Sequence, residues 1–261
     1  MILPVSWTIV AIVTGIVIVA GATNGLAGFG FAVVGTMALA TIIDPATAVV
    51  FMILPILAVN VSLVRDLSRR ELRTCSQRFG PLIVAALVGT VVGMAVLDRL
   101  PEAPLRVGLG LLTLGFVATA QQRMPLPGWV SVGSSDFGKT PLAMVGIGGV
   151  SGALFGGTNV GVQLVAYLRS FDLSHSLFVG VVALVFLGLS ITRVAFAGVF
   201  GLYPSAAVAG ASVLATVPAV AGVAVGKQLR TAVSDRARRA AVLTLLSIIG
   251  LRLIAGGLGI A

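Results

Sequence analysis

Two glycine-rich stretches hold the residues whose types and spacing suggest chemistry. The first reads Gly21-Ala22-Thr23-Asn24-Gly25-Leu26-Ala27-Gly28-Phe29-Gly30-Phe31. The second runs from Gly148-Gly149 through Gly152 to Gly156-Gly157-Thr158-Asn159-Val160-Gly161. Glycine costs a helix about 1 kcal/mol relative to alanine, so repeated glycine invites a break. Unwound backbone inside lipid is tolerated only when buried in protein or lining a wet cavity. Two half-helices meeting near mid-membrane would aim free N–H groups and positive dipole ends at one place, which favours an anion. Thr23, Asn24, Thr158 and Asn159 add neutral donors; Gly25, Gly28, Gly30, Gly156, Gly157 and Gly161 supply the backbone. The competing use of the same glycines is close helix packing, as small residues allow in membranes.

Other polar residues are sparse. Arg252 sits deep in the last apolar run, within Leu251-Arg252-Leu253-Ile254, and is the arginine expected to attract an anion or pair structurally. Arg193 lies only a few residues from the end of its run, where snorkelling to the interface accounts for it. Asp44 and Asp172 precede apolar runs and read as helix N-caps. Asn60 and Gln163 fall within spans, where such side chains bond across helices; Gln163 is close enough to the second glycine cluster to join the candidate site. Pro55 and Pro218 fall within helical runs and are placed to kink them.

The rest of the composition narrows the chemistry. With one histidine (His175) and one cysteine (Cys75), neither a histidine-rich nor a cysteine-built metal site can form, and no cofactor is expected. No paired acidic residues lie inside a span and no Gly-Lys-Ser/Thr phosphate loop is present, so an enzyme and an ATP-driven pump are both disfavoured. The net charge of +9 is not a nucleic-acid signal, because the basic residues sit in short patches between apolar stretches.

The elements that must position these residues are membrane helices. Of 261 residues, 58% are hydrophobic and 10% charged, and mean hydropathy is +1.13; a soluble domain carries about 25% charged residues. A crossing helix needs about 20 apolar residues. Apolar runs fall near 5–23, 25–43, 46–64, 79–97, 105–120, 142–157, 160–171, 176–199, 204–226 and 240–260, which predicts an all-α polytopic protein of about ten segments. They do not alternate as barrel strands would. Ten of the 17 basic residues fall in two loops, Arg65–Arg78 and Lys227–Arg239. Both follow odd-numbered runs, which places both loops in the cytoplasm and both termini outside.

The chain reads as doubled. At an offset of 128 residues Gly21 falls on Gly149, Asp44 on Asp172, Ser62 on Ser190 and Arg65 on Arg193, and Gly89-x-x-x-Gly93 resembles Gly222-x-x-x-Gly226. The basic loop comes one span later in the second half, as expected of five-span halves that enter the membrane in opposite directions. The expected organisation is a first repeat over 1–124, a linker over 125–141 and a second repeat over 142–261. A parallel repeat with a re-entrant first pair would leave the charge shift unexplained.

A family resemblance rests on the same clusters. Gly25-Leu26-Ala27-Gly28-Phe29-Gly30-Phe31-Ala32-Val33-Val34, followed by Asp44-Pro45-Ala46-Thr47-Ala48-Val49, resembles the opening motif of the TauE/SafE family of sulfite and organosulfur anion exporters. Gly149 through Gly157 and on to Tyr167-Leu168 is similar to that family's second glycine motif. Two departures stand out: Gly35-Thr36 replaces a proline, and Thr158-Asn159-Val160-Gly161 replaces a glycine–proline step. The resemblance implies movement of a small sulfur-containing or carboxylate anion across the cytoplasmic membrane. The function expected is secondary transport by alternating access, with a proton or sodium as possible coupling ion. A passive anion channel on the same scaffold is the alternative.

Overall fold

The computed structural model describes residues 7–27, 30–64, 79–97, 99–120, 140–169, 171, 175–229 and 232–260. Every element among them is an α-helix. In chain order they are α1 (Trp7–Ala27), α2 (Phe31–Leu39), α3 (Pro45–Phe51), α4 (Ile53–Val64), α5 (Gly80–Leu97), α6 (Glu102–Ala120), α7 (Pro141–Thr158), α8 (Val162–Arg169), α9 (His175–Val199), α10 (Ala206–Leu214), α11 (Thr216–Leu229) and α12 (Asp235–Gly257).

Helices occupy all ten apolar runs, but not as ten crossings of equal length. At about 1.5 Å rise per residue, the nine residues of α2 and eight of α8 extend only about 14 and 12 Å, under half of a bilayer core. Among the described residues, six stretches are long and apolar enough to cross a membrane: Trp7–Leu26, Pro45–Ser62, Gly80–Leu97, Pro141–Thr158, Ala206–Leu229 and Ala240–Gly257. The chain is a multi-pass helical membrane protein.

Two of those stretches are bent at proline. Pro55 and Pro218 each lie just beyond a one-residue interruption, Met52 between α3 and α4 and Ala215 between α10 and α11. Proline lacks an N–H, and its ring collides with the carbonyl four residues back, here Phe51 and Leu214. The Phe51 carbonyl stripped of its helical donor accepts instead from the Ser212 hydroxyl of α10, at 2.5 Å. A buried backbone acceptor is thereby satisfied from another helix.

The chain falls into two compact units, and neither is a sequence half. One comprises Met1–Val59, Glu102–Leu114 and Tyr203–Ala261; the other Asn60–Pro101 and Gly115–Leu202. The first is built around α1 against α11, the second around α5 against α7. Each pair is a glycine interface of the same pattern. A methyl added at Gly21 would fall on the Ala219 carbonyl, at Gly25 on Val223, at Gly222 on Ile18 and at Gly226 on Ala22. In the other unit, Gly152 faces the Ala86 carbonyl, Gly156 faces Thr90, Gly89 faces Gly149 and Gly93 faces Ala153. Between lipid-exposed helices there is no hydrophobic drive to associate, so this backbone approach supplies the packing. The Thr90 hydroxyl adds a bond to the Gly152 carbonyl at 3.2 Å.

The contact patterns of the two glycine helices match each other position by position. They pair Gly21 with Gly152 and Gly25 with Gly156, an offset of 131 rather than 128. Val19-Ala20-Gly21-Ala22 then lies on Val150-Ser151-Gly152-Ala153, and Gly30 on Gly161.

Candidate functional site

Each glycine cluster serves both purposes weighed from the sequence, but at different residues. Gly21 and Gly25 lie inside unbroken α1, and Gly148, Gly149, Gly152, Gly156 and Gly157 inside unbroken α7. Gly25 and Gly156 are packing residues, shut against backbone, and a methyl at Gly157 would stand 3.3 Å from the Gly93 carbonyl oxygen. The breaks come later: at Gly30 before α2, and at residues 159–161 before α8. Gly28 lies outside the described residues.

The first break is in the first unit. Gly30 has φ +106, a conformation glycine adopts freely and other residues rarely do. Beyond its chain neighbours, a methyl there would meet nothing nearer than Thr23 Cγ2 at 3.8 Å. Asn24, 5% exposed, accepts the Phe31 N–H at its Oδ1, at 3.4 Å. That bond fixes the amide orientation, since the nitrogen cannot accept. Its Nδ2 is buried with no hydrogen-bond partner. Thr23 is not the donor expected: its hydroxyl donates to the Val19 carbonyl at 2.8 Å.

The second break is in the other unit. Asn159 caps α7 in the left-handed conformation, φ 62, which asparagine tolerates better than most residues. The Thr158 hydroxyl is spent on the Leu154 carbonyl at 2.5 Å and accepts the Val160 N–H at 3.2 Å. Gly161 sits under two rings, Phe155 and Phe186, packed edge to face with centroids 5.2 Å apart. Gln163, in the first turn of α8, holds a buried Oε1 without a partner.

The residue that sequence reasoning misplaced is Arg193. It is 1% exposed and is the largest fully buried side chain among the described residues. It does not snorkel. Its guanidinium donates to Asn159 Oδ1 and stands 5.1 Å from the centroid of the Phe155 ring, within cation–π range. Arginine is almost never fully buried in a protein unless paired. Arg252, preferred from the sequence, is instead exposed on α12. The signal for Arg193 was its offset: three residues on from Ser190, whose Oγ accepts from Asn60 at 2.9 Å. That bond across helices is the role expected of Asn60. Asp44 caps α3 as expected, accepting the Thr47 N–H at 2.7 Å. Asp172 and Cys75 lie outside the described residues. No group of three metal-ligating side chains occurs among the described residues.

Broken helices carrying buried polar groups, set in a multi-pass helical scaffold, define the class as a membrane transport protein. Residues 13–253 match the family model described as Sulfite exporter TauE/SafE, and the chain belongs to that family. No significant similarity was found among curated proteins or among solved structures.

Proposed function

We propose that this chain is a secondary transporter of the cytoplasmic membrane that moves a small anion, such as sulfite, thiosulfate, a sulfonate or a small carboxylate, by alternating access. The observation that carries the reading is Arg193, buried on Asn159 at the break between α7 and α8. A guanidinium in low dielectric exerts a strong field and raises the local affinity for negative charge. The α8 N-terminus beside it contributes the positive end of its dipole. Membership of the exporter family supports the substrate class.

The matched glycine contacts support two repeats, 1–124 and 142–261 joined by 125–141, with the register revised to 131 in the glycine helices. The displaced basic loop supports opposite membrane orientation of the halves. Substrate-contacting groups are assigned to Asn24 and Gly30 at the first break and to Asn159, Gly161, Gln163 and Arg193 at the second. Gly25, Gly156 and Gly157 hold the scaffold.

The test is uptake of sulfite, thiosulfate, sulfoacetate and small carboxylates into proteoliposomes. Saturable uptake with counterflow is expected for at least one of them. Conductance without counterflow identifies a channel, and no anion movement at all rejects the proposal.

A further inference from the structure

Whether a broken membrane helix holds an anion or a cation depends on which atoms face the gap. Half-helix N-termini and amide N–H groups suit anions; carbonyl oxygens and half-helix C-termini suit sodium. At the first break the choice is legible from one side chain. Asn24 is 5% exposed, and its acceptor oxygen is committed to the Phe31 N–H, the first residue of α2. The atom left over is the amide nitrogen, buried and unpartnered. An NH₂ group donates and cannot accept, so only an acceptor satisfies it. It lies beside the N-terminus of the nine-residue helix α2, where the dipole is positive. Gly30 turns the chain into α2 in the left-handed conformation, and beyond its chain neighbours the nearest atom to an added methyl would be Thr23 Cγ2 at 3.8 Å.

We propose that the Asn24 amide nitrogen and the α2 N-terminus form an oxyanion seat that holds a deprotonated oxygen of a sulfite or sulfonate, and that they do not form a coupling-sodium site. This rests on the reading of the chain as an anion transporter. The Asn24 amide is a neutral donor, in contrast with the Arg193 guanidinium at the other break. A neutral donor grips an anion without trapping it, which suits a ligand that must leave again.

Asn24→Asp is the informative substitution. It keeps the shape and the oxygen that accepts the Phe31 N–H, but exchanges the donor for a second acceptor bearing charge. Thermal unfolding of the full-length protein in detergent is read with sulfite, sulfoacetate, sodium chloride or choline chloride. Wild type is expected to be stabilised by sulfite or sulfoacetate, and equally by sodium and choline chlorides. N24D should unfold within a few degrees of wild type without ligand and lose at least tenfold in apparent sulfite affinity. Asn24→Leu, apolar and branched at the same carbon, makes the same reading if N24D does not fold. An N24D or N24L protein with wild-type sulfite affinity overturns the seat while leaving transport intact. Stabilisation of wild type by sodium over choline, abolished in both variants, also overturns it in favour of a cation site. Wild type that neither transports nor is stabilised by any of the anions removes this proposal and the transporter reading together.

Discussion

At the scale of single residues, two arginines exchange the roles that composition suggests. Arg193 and Arg252 each stand in an apolar run, and distance from the run's end favoured Arg252 as the functional one. Burial reverses that, because it depends on what packs opposite, and Phe155 and Asn159 come from a helix more than thirty residues away in sequence. Removing a buried charge-assisted hydrogen bond costs about 1.5–3 kcal/mol. Arg193→Gln is therefore expected to lower the initial rate of sulfite uptake at least tenfold, with Arg193→Lys intermediate because the planar fork is lost but the charge kept. Arg252→Gln should stay within about twofold of wild type. Equal losses in both variants would return the charge to the last helix. Gly30 makes a second residue-scale case. A left-handed position costs a non-glycine residue about 1–2 kcal/mol, so Gly30→Ala should lower the thermal midpoint by several degrees and misplace the α2 N-terminus. Equal stability in thermal unfolding would show that the turn is free to relax.

At the scale of elements, the glycine clusters were visible in the sequence and their division of labour was not. Composition reports where glycine accumulates; it does not say which glycine faces a partner helix and which ends its own. That information lies on the partners, in Gly89/Gly93 and Gly222/Gly226, whose four-residue spacing was legible. Their pairing was not, since each partner comes from the opposite half of the chain. The short run at 160–171, which becomes α8, was legible because polar Thr158 and Asn159 interrupt the apolar sequence, whereas the shortness of α2 was hidden inside a continuous apolar run over 25–43. The Pro55 and Pro218 interruptions could be read directly, because proline's missing N–H acts locally. A contrast within α7 tests the packing account. Gly156 is closed by the Thr90 carbonyl, whereas Gly149 has nothing within 4 Å of its added methyl. Overpacking typically costs about 1–3 kcal/mol, so Gly156→Val should lower the thermal midpoint markedly and Gly149→Val should leave it unchanged. If the two variants unfold together, the α5–α7 contact does not hold the unit.

At the scale of the whole molecule, the charge distribution predicts which segments share a side of the membrane, whether or not the short helices cross it. Loops carrying Lys and Arg stay cytoplasmic. The two basic segments of the sequence are 65–78 and 227–239, the second running from the last turn of α11 into the start of α12, and the segment 201–204 between α9 and α10 carries no charge. Ala206–Leu229 is a single stretch long enough to cross, so residue 204 and residue 232 must lie on opposite faces. Whether α8 completes a crossing or turns back with α7 leaves this relation unchanged, because one crossing separates the two positions in either case. The one native cysteine, Cys75, falls in the first basic segment of the sequence and is a ready reporter. A membrane-impermeant maleimide applied to intact cells should not label Cys75, and should label it once the membrane is inverted. In a Cys75→Ser background, Ala232→Cys should follow the same pattern, and Pro204→Cys, which is exposed, should label in intact cells. Labelling of Cys75 and Pro204→Cys from the same face would break the orientation of the two halves, and with it the inverted arrangement on which alternating access is argued.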